Sequence, residues 1–409
     1  MPSYRLLDPR DRGFVVLCGA LTAQTALAVD VFLPALPIVV KELAMTPANV
    51  QLTVGLYMAG FALGQIAWGW LSDWLGRRMI ILIGTGGYTF TTLMCALADD
   101  GSELIFWRLI LGVFSSASMA ATRAMLRDHF TGVQLARQMA AITTVFLLSP
   151  IVAPQLGTML ALTGGWRSVF WVPGIIGFVS FFFSWRYLAE SHTEAKRHRS
   201  SLQSIWRLVT DILSHRLSGP CLAIQASMSF GLLTWISSSP LILTGYYSVP
   251  IKYFGLFFTA SATLILCGSL LCNHLLRDRG PSYVLALGGG CCAIGGGLVF
   301  LVTVLVSGSL WWMMTGILIF MLGFGLIVPS SGGMALHAFG AVGGLAAAIL
   351  GSAQSLVGSL GSGMSASLHD GTPASLGIGI GLSASVAASV ALILSYRLMK
   401  QPELLADPA

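Results

Sequence analysis

Long apolar stretches alternate with short polar ones along almost the whole chain. Each apolar stretch is long enough, as a helix, to cross a hydrocarbon core about 30 Å thick. Charged residues, glycine and proline separate them, which places spans at 13–37, 50–71, 79–98, 104–124, 139–160, 168–188, 219–241, 253–274, 283–305, 311–332, 344–366 and 375–396. The pattern therefore predicts an all-α membrane protein with twelve transmembrane helices.

The composition favours the same class. Of 409 residues, 55% are hydrophobic and 9% are charged, whereas soluble domains carry about 25% charged residues. All seven cysteines fall within predicted spans without zinc-type spacing, so we expect neither disulfides nor a metal site. No phosphate-binding loop is present, and the histidines form no metal or triad spacing. We therefore expect a protein that is not an enzyme and that needs no cofactor.

The basic residues indicate the orientation and the domain organisation. Most of the 22 Lys and Arg residues fall in alternate loops, which places both termini in the cytoplasm. This distribution also accounts for the net charge of +6, so we expect no nucleic-acid partner. The longest polar stretch contains Lys196, Arg197 and Arg199, and we interpret 190–217 as a cytoplasmic linker. It would join six-helix bundles at 1–189 and 218–409.

Two charged residues lie within predicted spans, Asp30 in the first and Arg108 in the fourth. An ionisable group there costs about 2.5 to 3.5 kcal/mol and marks a transport or proton pathway by default. Alternatively, the first helix ends at Pro34 and Asp30 lies close to the outer surface, while Arg108 extends its side chain outward. We expect both residues to couple proton and substrate, and whether they touch is left open.

A tight turn follows the second span, with the sequence Gly-Trp-Leu-Ser-Asp-Trp-Leu-Gly-Arg-Arg from Gly69 to Arg78. The two glycines, Gly69 and Gly76, would permit close backbone approach. Asp73, Arg77 and Arg78 can form charge-assisted hydrogen bonds with neighbouring helix ends. On these residues alone, a simple cytoplasmic anchor is an alternative. A partial copy of the motif, 277–280, follows the eighth span.

Stripes of larger side chains on three spans are candidates for a substrate cavity, because ligand pockets are mostly apolar. Core packing explains the same stripes as well. The candidate residues are Tyr57 on the second span, Met119 on the fourth, and Met228 and Trp235 on the seventh.

Several of these motifs resemble those of the major facilitator superfamily. Residues 69–78 resemble its signature loop, and Asp30 with Pro34 and Pro37 resembles the first-helix motif of its twelve-span drug:proton antiporters. The branch that exports bicyclomycin and chloramphenicol is particularly similar. Further matches lie in or beside the fourth and fifth spans, at Arg108, Gly112, Arg123, Pro150, Pro154 and Gly157. Leu111 and Thr158 depart from the pattern, where Gln and Gly are usual, and leave the substrate open.

The resemblance implies a secondary active multidrug efflux transporter in the bacterial inner membrane. It would exchange protons for small lipophilic neutral or cationic drugs by alternating access, in contact with lipid and as a monomer. Asp30 would carry the proton, since the second half has no acid clearly inside a span, and Arg108 would tune it. The residues implied in conformational gating are Gly69, Asp73, Gly76, Arg77, Arg78, Arg123, Pro150, Pro154 and Gly157. The alternative is a proton-coupled exporter of a metabolite, siderophore or sugar from the same superfamily.

Overall fold

The computed structural model describes residues 12–191, 202–306, 308–339 and 343–401, and the regular structure in these ranges is helical throughout. The helices are α1 (Arg12–Asp30), α2 (Leu36–Glu42), α3 (Pro47–Leu75), α4 (Arg77–Leu97), α5 (Gly101–His129), α6 (Gly132–Gly164), α7 (Ser168–Tyr187), α8 (Leu202–Ser214), α9 (Ser218–Leu241), α10 (Ile251–Asp278), α11 (Pro281–Phe300), α12 (Leu310–His337), α13 (Gly343–Ser367) and α14 (Ala374–Lys400). Single π-helical turns extend α9 to Tyr246 and α11 to Leu305.

Twelve helical segments within the described ranges are long and apolar enough to cross a membrane, which confirms the predicted fold class. Each predicted span corresponds to one of them, but several helices run further. The span predicted at 139–160 lies within α6, which covers Gly132–Gly164. Backbone hydrogen bonding continues past the point where the apolar pattern ends, because polar residues are accepted in a helix that has left the hydrocarbon. The cytoplasmic location of both termini stays a prediction.

The helices form two compact units. The first contains the described residues of Met1–Met45 and Leu56–Leu202, and the second those of Thr46–Gly55 and Gln203–Ala409. The beginning of α3 is thus grouped with the second unit. The predicted domain boundaries remain a prediction, and Lys196, Arg197 and Arg199 lie outside the described residues.

Helix α8 lies within the stretch that we expected to be only a polar linker. Leu208 and Ile212 are buried on one side of this helix, whereas Trp206 and Leu213 are exposed. The apolar residues recur at helical spacing among polar ones, so they do not form a continuous apolar run. A search for runs of spanning length therefore passes over this helix.

Close backbone contacts hold α3 and α5 together in the first unit. A side chain at Gly112 would overlap the carbonyl oxygen of Tyr57, and one at Gly60 would overlap that of Leu109. Glycines at such crossings allow helices in membranes to approach closely. The crossing places Tyr57 beside the turn of α5 that carries Arg108.

Candidate functional site

Helix α1 ends at Asp30, within the first apolar segment, Gly13–Glu42. The proline nitrogen of Pro34 carries no hydrogen, so it cannot complete the helical hydrogen bond to the Asp30 carbonyl. The chain tightens instead, with the Phe32 amide donating to the Val29 carbonyl at 3.1 Å, and forms a 3-10 turn over Leu33–Ala35 before α2. The proline motif therefore places the Asp30 carboxyl at a break in the first span.

The Asp30 side chain is buried, with 6% of its surface exposed. The hydroxyl of Ser149 on α6 donates to Asp30 Oδ2 at 3.2 Å. Further along α6, Gly157 lies so close to the break that a side chain there would overlap the Val31 carbonyl oxygen. Helix α6 therefore contacts the break at two positions. The Ser149 hydroxyl binds the Asp30 carboxyl group, and the backbone at Gly157 packs against Val31.

Arg108 is completely buried, so its side chain does not extend outward. Its Nη1 donates to the carbonyl oxygen of Ala28 on α1 at 2.7 Å. The guanidinium carbon lies 4.6 Å from the ring centroid of Phe32 and 4.7 Å from that of Tyr57. Aromatic faces attract a cation in this position. Both intramembrane charges thus lie at the end of α1. Arg108 is bound to Ala28, two residues before the break, and Asp30 is the last residue of the helix.

Tyr57 joins three helices beside these charges. Its hydroxyl lies 3.0 Å from the Thr25 carbonyl of α1 and 2.8 Å from Ser115 Oγ of α5, and its side chain is fully buried. The ring also faces the Arg108 guanidinium, with the guanidinium carbon 4.7 Å from its centroid. Tyr57 therefore belongs to the surroundings of the charges, a position that the sequence pattern alone did not show.

Of the other cavity candidates, Met119 is in the first unit, and Met228 and Trp235 are in the second. Met119 is buried on α5 eleven residues beyond Arg108, which corresponds to about 16 Å along a helix. In the second unit, the Met228 sulfur lies 3.7 Å from that of Cys292, and Trp235 stacks on Phe258 with ring centroids 5.7 Å apart. Their role as cavity residues stays a prediction.

Arg77 is the centre of the predicted loop. Its Nη1 binds Asp73 Oδ1 at 2.6 Å and Ser72 Oγ at 2.8 Å, and its Nε binds Asp128 Oδ2 of α5 at 3.2 Å. Arg78 extends in another direction and donates to the carbonyl of Trp185 on α7 at 2.8 Å. The loop thus forms the charge-assisted bonds to neighbouring helices that the residue types indicated.

Glu190 is a residue of this loop region that sequence reasoning missed. Its two carboxylate oxygens accept hydrogen bonds from the backbone amides of Arg77 at 2.9 Å and Arg78 at 3.1 Å. These amides begin α4, where the helix dipole favours a negative charge. Gly76 precedes them with φ +97°, and a side chain there would collide with the Glu190 carboxylate. The two partners are separated by more than 110 residues, so no local signal could have paired them.

The remaining gating candidates have less specific surroundings. A side-chain carbon added at Gly69 would meet no atom within 4 Å among the described residues, so the close approach expected there is not observed. Pro150 and Pro154 lie inside α6, which continues through both, and Arg123 is partly buried near the end of α5. Gly280, in the second-half copy of the loop, has φ +79° and precedes α11 as Gly76 precedes α4. Gating by this set stays a prediction.

Replacing Glu190 with Gln should destabilise the protein by about 1 kcal/mol, because the amide keeps one acceptor oxygen but loses the charge at the start of α4. Thermal unfolding in detergent measures this as a lower Tm. Glu42→Gln is the matched control, since Glu42 is half-exposed and its oxygen lies 3.9 Å from Arg167. Equal Tm values for the two variants would contradict the stabilisation of the start of α4 by the Glu190 carboxylate.

Replacing Gly157 with Ala should lower both stability and transport. The added carbon would overlap the Val31 carbonyl, and such overpacking costs about 1 to 3 kcal/mol. Gly290→Ala on α11 is the control, because its new carbon would meet no atom of the described residues within 4 Å and alanine favours a helix. We expect a lower Tm for Gly157→Ala and an unchanged or higher Tm for Gly290→Ala. The same Tm change in both would mean that the contact with the break is unimportant.

Comparison with known proteins agrees with this architecture. Residues 18–362 match the Major Facilitator Superfamily. A bicyclomycin resistance protein homolog of Haemophilus influenzae is 27% identical over 389 residues, covering 95% of this chain and 97% of the relative. A chloramphenicol resistance protein of Pseudomonas aeruginosa is also 27% identical, covering 69% of this chain and 66% of the relative. These relatives confirm the resemblance to the bicyclomycin and chloramphenicol branch.

Solved structures show the same fold. The crystal structure of a D-xylose-proton symporter superposes with a TM-score of 0.71, covering 95% of this chain and 98% of the symporter at 14% identity. With the family match and the twelve apolar helical segments, this identifies a transporter and not an enzyme. The chain belongs to the major facilitator superfamily and is a multi-pass protein of the bacterial inner membrane.

Proposed function

We propose that this transporter exchanges protons for small lipophilic drugs, neutral or cationic, and that Asp30 is the group for which proton and substrate compete. The observation that carries the proposal is the position of Asp30, a buried carboxyl group at a break in the first span with Ser149 as a hydrogen-bond donor. Buried carboxyl groups at membrane depth are expensive, and they are typical of proton pathways in transporters.

Arg108 makes the competition possible. An arginine does not release its proton in a protein, so Asp30 is the member of this pair of charges that can change its protonation. Burial disfavours an ionised carboxylate, whereas a fixed positive charge in the same region favours it. The Ala28 carbonyl and the rings of Phe32 and Tyr57 hold that charge in place. A small change in the geometry of the break in α1 would therefore shift the equilibrium between the protonated and the ionised form of Asp30.

The names of the relatives support the substrate class. One relative is described as a bicyclomycin resistance protein homolog and another as a chloramphenicol resistance protein. We extend the drug class to this chain as part of the proposal. The xylose symporter resembles the chain in fold only, at 14% identity, so it gives no support to a sugar. Export of a metabolite, siderophore or sugar is the alternative that the experiment below must separate.

The proposed exchange needs no energy source other than the proton gradient. One charge that crosses a potential of 100 mV releases about 2.3 kcal/mol. A tenfold concentration ratio requires about 1.4 kcal/mol. Exchange of one proton for one neutral drug molecule would therefore maintain a concentration gradient of roughly fortyfold. We also assign the hydrogen bonds of Arg77 and Glu190 to the gating of this exchange.

The proposal can be tested with purified protein in liposomes that enclose a pH-sensitive dye. With a pH gradient in place, adding chloramphenicol should release protons from the acidic side, and labelled chloramphenicol should accumulate there. A protonophore should abolish the accumulation. Accumulation of labelled chloramphenicol that does not depend on the pH gradient would contradict antiport. Proton release on adding a sugar, with none on adding chloramphenicol, would favour the alternative.

A further inference from the structure

Two buried amide side chains meet in the second unit. Gln354 Nε2 of α13 donates to Gln225 Oε1 of α9 at 2.5 Å. Only 4% of Gln225 is exposed, while Gln354 is partly exposed. The bond uses the carbonyl oxygen of Gln225 and leaves its amino group for another partner.

That amino group has no acceptor among the described residues. A buried donor without a partner costs about 1 to 3 kcal/mol, and native proteins keep few of them. A bond that only joins α9 to α13 leaves this cost uncompensated. An acceptor atom from a bound molecule would remove it.

There is room beside the amide. A side-chain carbon added at Gly332 of α12 would meet only Gln225 Nε2 and Oε1, at 3.8 and 3.9 Å, in ordinary contact. Gly332 thus leaves the surface of α12 without a side chain next to the Gln225 amide.

The charge of the surroundings limits what can bind. In the described spans of the second unit, charged residues occur only near the ends, at Lys252, Arg277, Asp278, Arg397 and Lys400. The Gln225 amino group is an uncharged donor, so its complement is an uncharged acceptor. Burying an ion there without a counter-charge would cost much more than burying a neutral polar group.

We infer that Gln225 and Gln354 form a hydrogen-bonding subsite for the uncharged polar part of a substrate, an acceptor oxygen such as a carbonyl, hydroxyl or nitro oxygen. The inference rests on the proposed function, and it adds that neutral and cationic substrates bind through different residues. Neutral drugs with acceptor oxygens would use the amide pair, whereas lipophilic cations without such oxygens would not need it.

The test compares two probes on purified protein in detergent. Chloramphenicol is neutral and carries hydroxyl, carbonyl and nitro oxygens, whereas tetraphenylphosphonium is a lipophilic cation without acceptor oxygens. In the double variant Gln225→Leu/Gln354→Leu, we expect the Kd of chloramphenicol to rise at least tenfold, equivalent to about 1.4 kcal/mol. The Kd of tetraphenylphosphonium should change less than twofold.

Ser365→Ala on α13 is the matched control, because it removes a fully buried hydroxyl that, like the Gln225 amino group, has no hydrogen-bond partner among the described residues. Its position, eleven residues from Gln354, is about 16 Å along the helix. We expect unchanged Kd values for both probes. A similar rise for chloramphenicol in this control would show a general effect of buried polar groups and overturn the subsite.

The remaining outcomes are decisive in the same way. Unchanged chloramphenicol binding in the double variant, or an equal loss for both probes, would overturn the inference, the second by showing a purely structural role. A single variant, Gln225→Met, adds a check that nearly preserves size, since methionine has no hydrogen-bond donor and should weaken chloramphenicol binding. If wild-type protein binds both probes but moves no protons, the proposed antiport fails while the subsite still stands or falls on these Kd values.

Discussion

Asp30→Asn should abolish drug-dependent proton movement in liposomes while folded protein remains in the membrane. The amide has nearly the same shape as the carboxyl group and can still accept the hydrogen bond from Ser149. It cannot bind and release a proton, so only coupling is removed. We expect a signal no larger than that of liposomes without protein, whereas exchange of labelled against unlabelled chloramphenicol should persist and become independent of pH.

Asp370→Asn is the control for this change. Asp370 is exposed, lies in the loop between α13 and α14, and binds the amide and hydroxyl of Thr372. The same chemical substitution there should leave proton coupling at the wild-type level. Coupled transport at the wild-type rate in Asp30→Asn would remove Asp30 as the proton carrier, whatever its effect on drug binding.

Arg108→Lys should reduce coupled transport at least tenfold although the charge is retained. A lysine ammonium is a compact, strongly hydrated charge without the planar face that lies between the rings of Phe32 and Tyr57. It would lose the fixed bond to the Ala28 carbonyl and be buried with poorer compensation. The measurement is the initial rate of drug-dependent proton release, corrected for the amount of folded protein.

Arg167→Lys provides a closely matched control. Arg167 also donates to a backbone carbonyl, that of Ala98 at 2.9 Å, and also lies over an aromatic ring, that of Trp166 at 4.4 Å. Its side chain is 42% exposed, so water can replace the lost contacts. We expect wild-type transport from Arg167→Lys. Equal transport by both lysine variants would show that charge alone suffices at position 108.

The spans and the loop could be predicted because their signals are local, and the break corresponds to the alternative in which the first helix ends near Pro34. Asp30 and Pro34 are four residues apart, and the Asp73–Arg77 ion pair spans one helical turn. The partners that fix the charges are distant in sequence, with Ser149 separated from Asp30 by 119 residues and Ala28 from Arg108 by 80. Hydropathy gives the depth of a residue but not its rotation relative to other helices, so such pairs require three-dimensional packing.

Neutral polar residues inside a span are harder to assign from the sequence than charged ones. The hydrogen bond between Gln225 and Gln354 depends on the register of α9 against α13. Glutamine is neutral, so it does not stand out within an apolar span as the charge of Asp30 does. Buried amides in such spans are therefore easy to overlook, although burial makes each unsatisfied hydrogen bond costly.

The contacts of Arg77 tie together parts of the chain that could otherwise shift separately. Its side chain bonds to Asp73 at the end of α3 and to Asp128 near the end of α5, and its own amide bonds to Glu190 beyond α7. Sliding of any one of these segments past the others would break a charge-assisted bond. At this end of the first unit, Arg77 thus connects α3, α4, α5 and the segment after α7. We expect these elements to move together as a rigid body when the helices tilt.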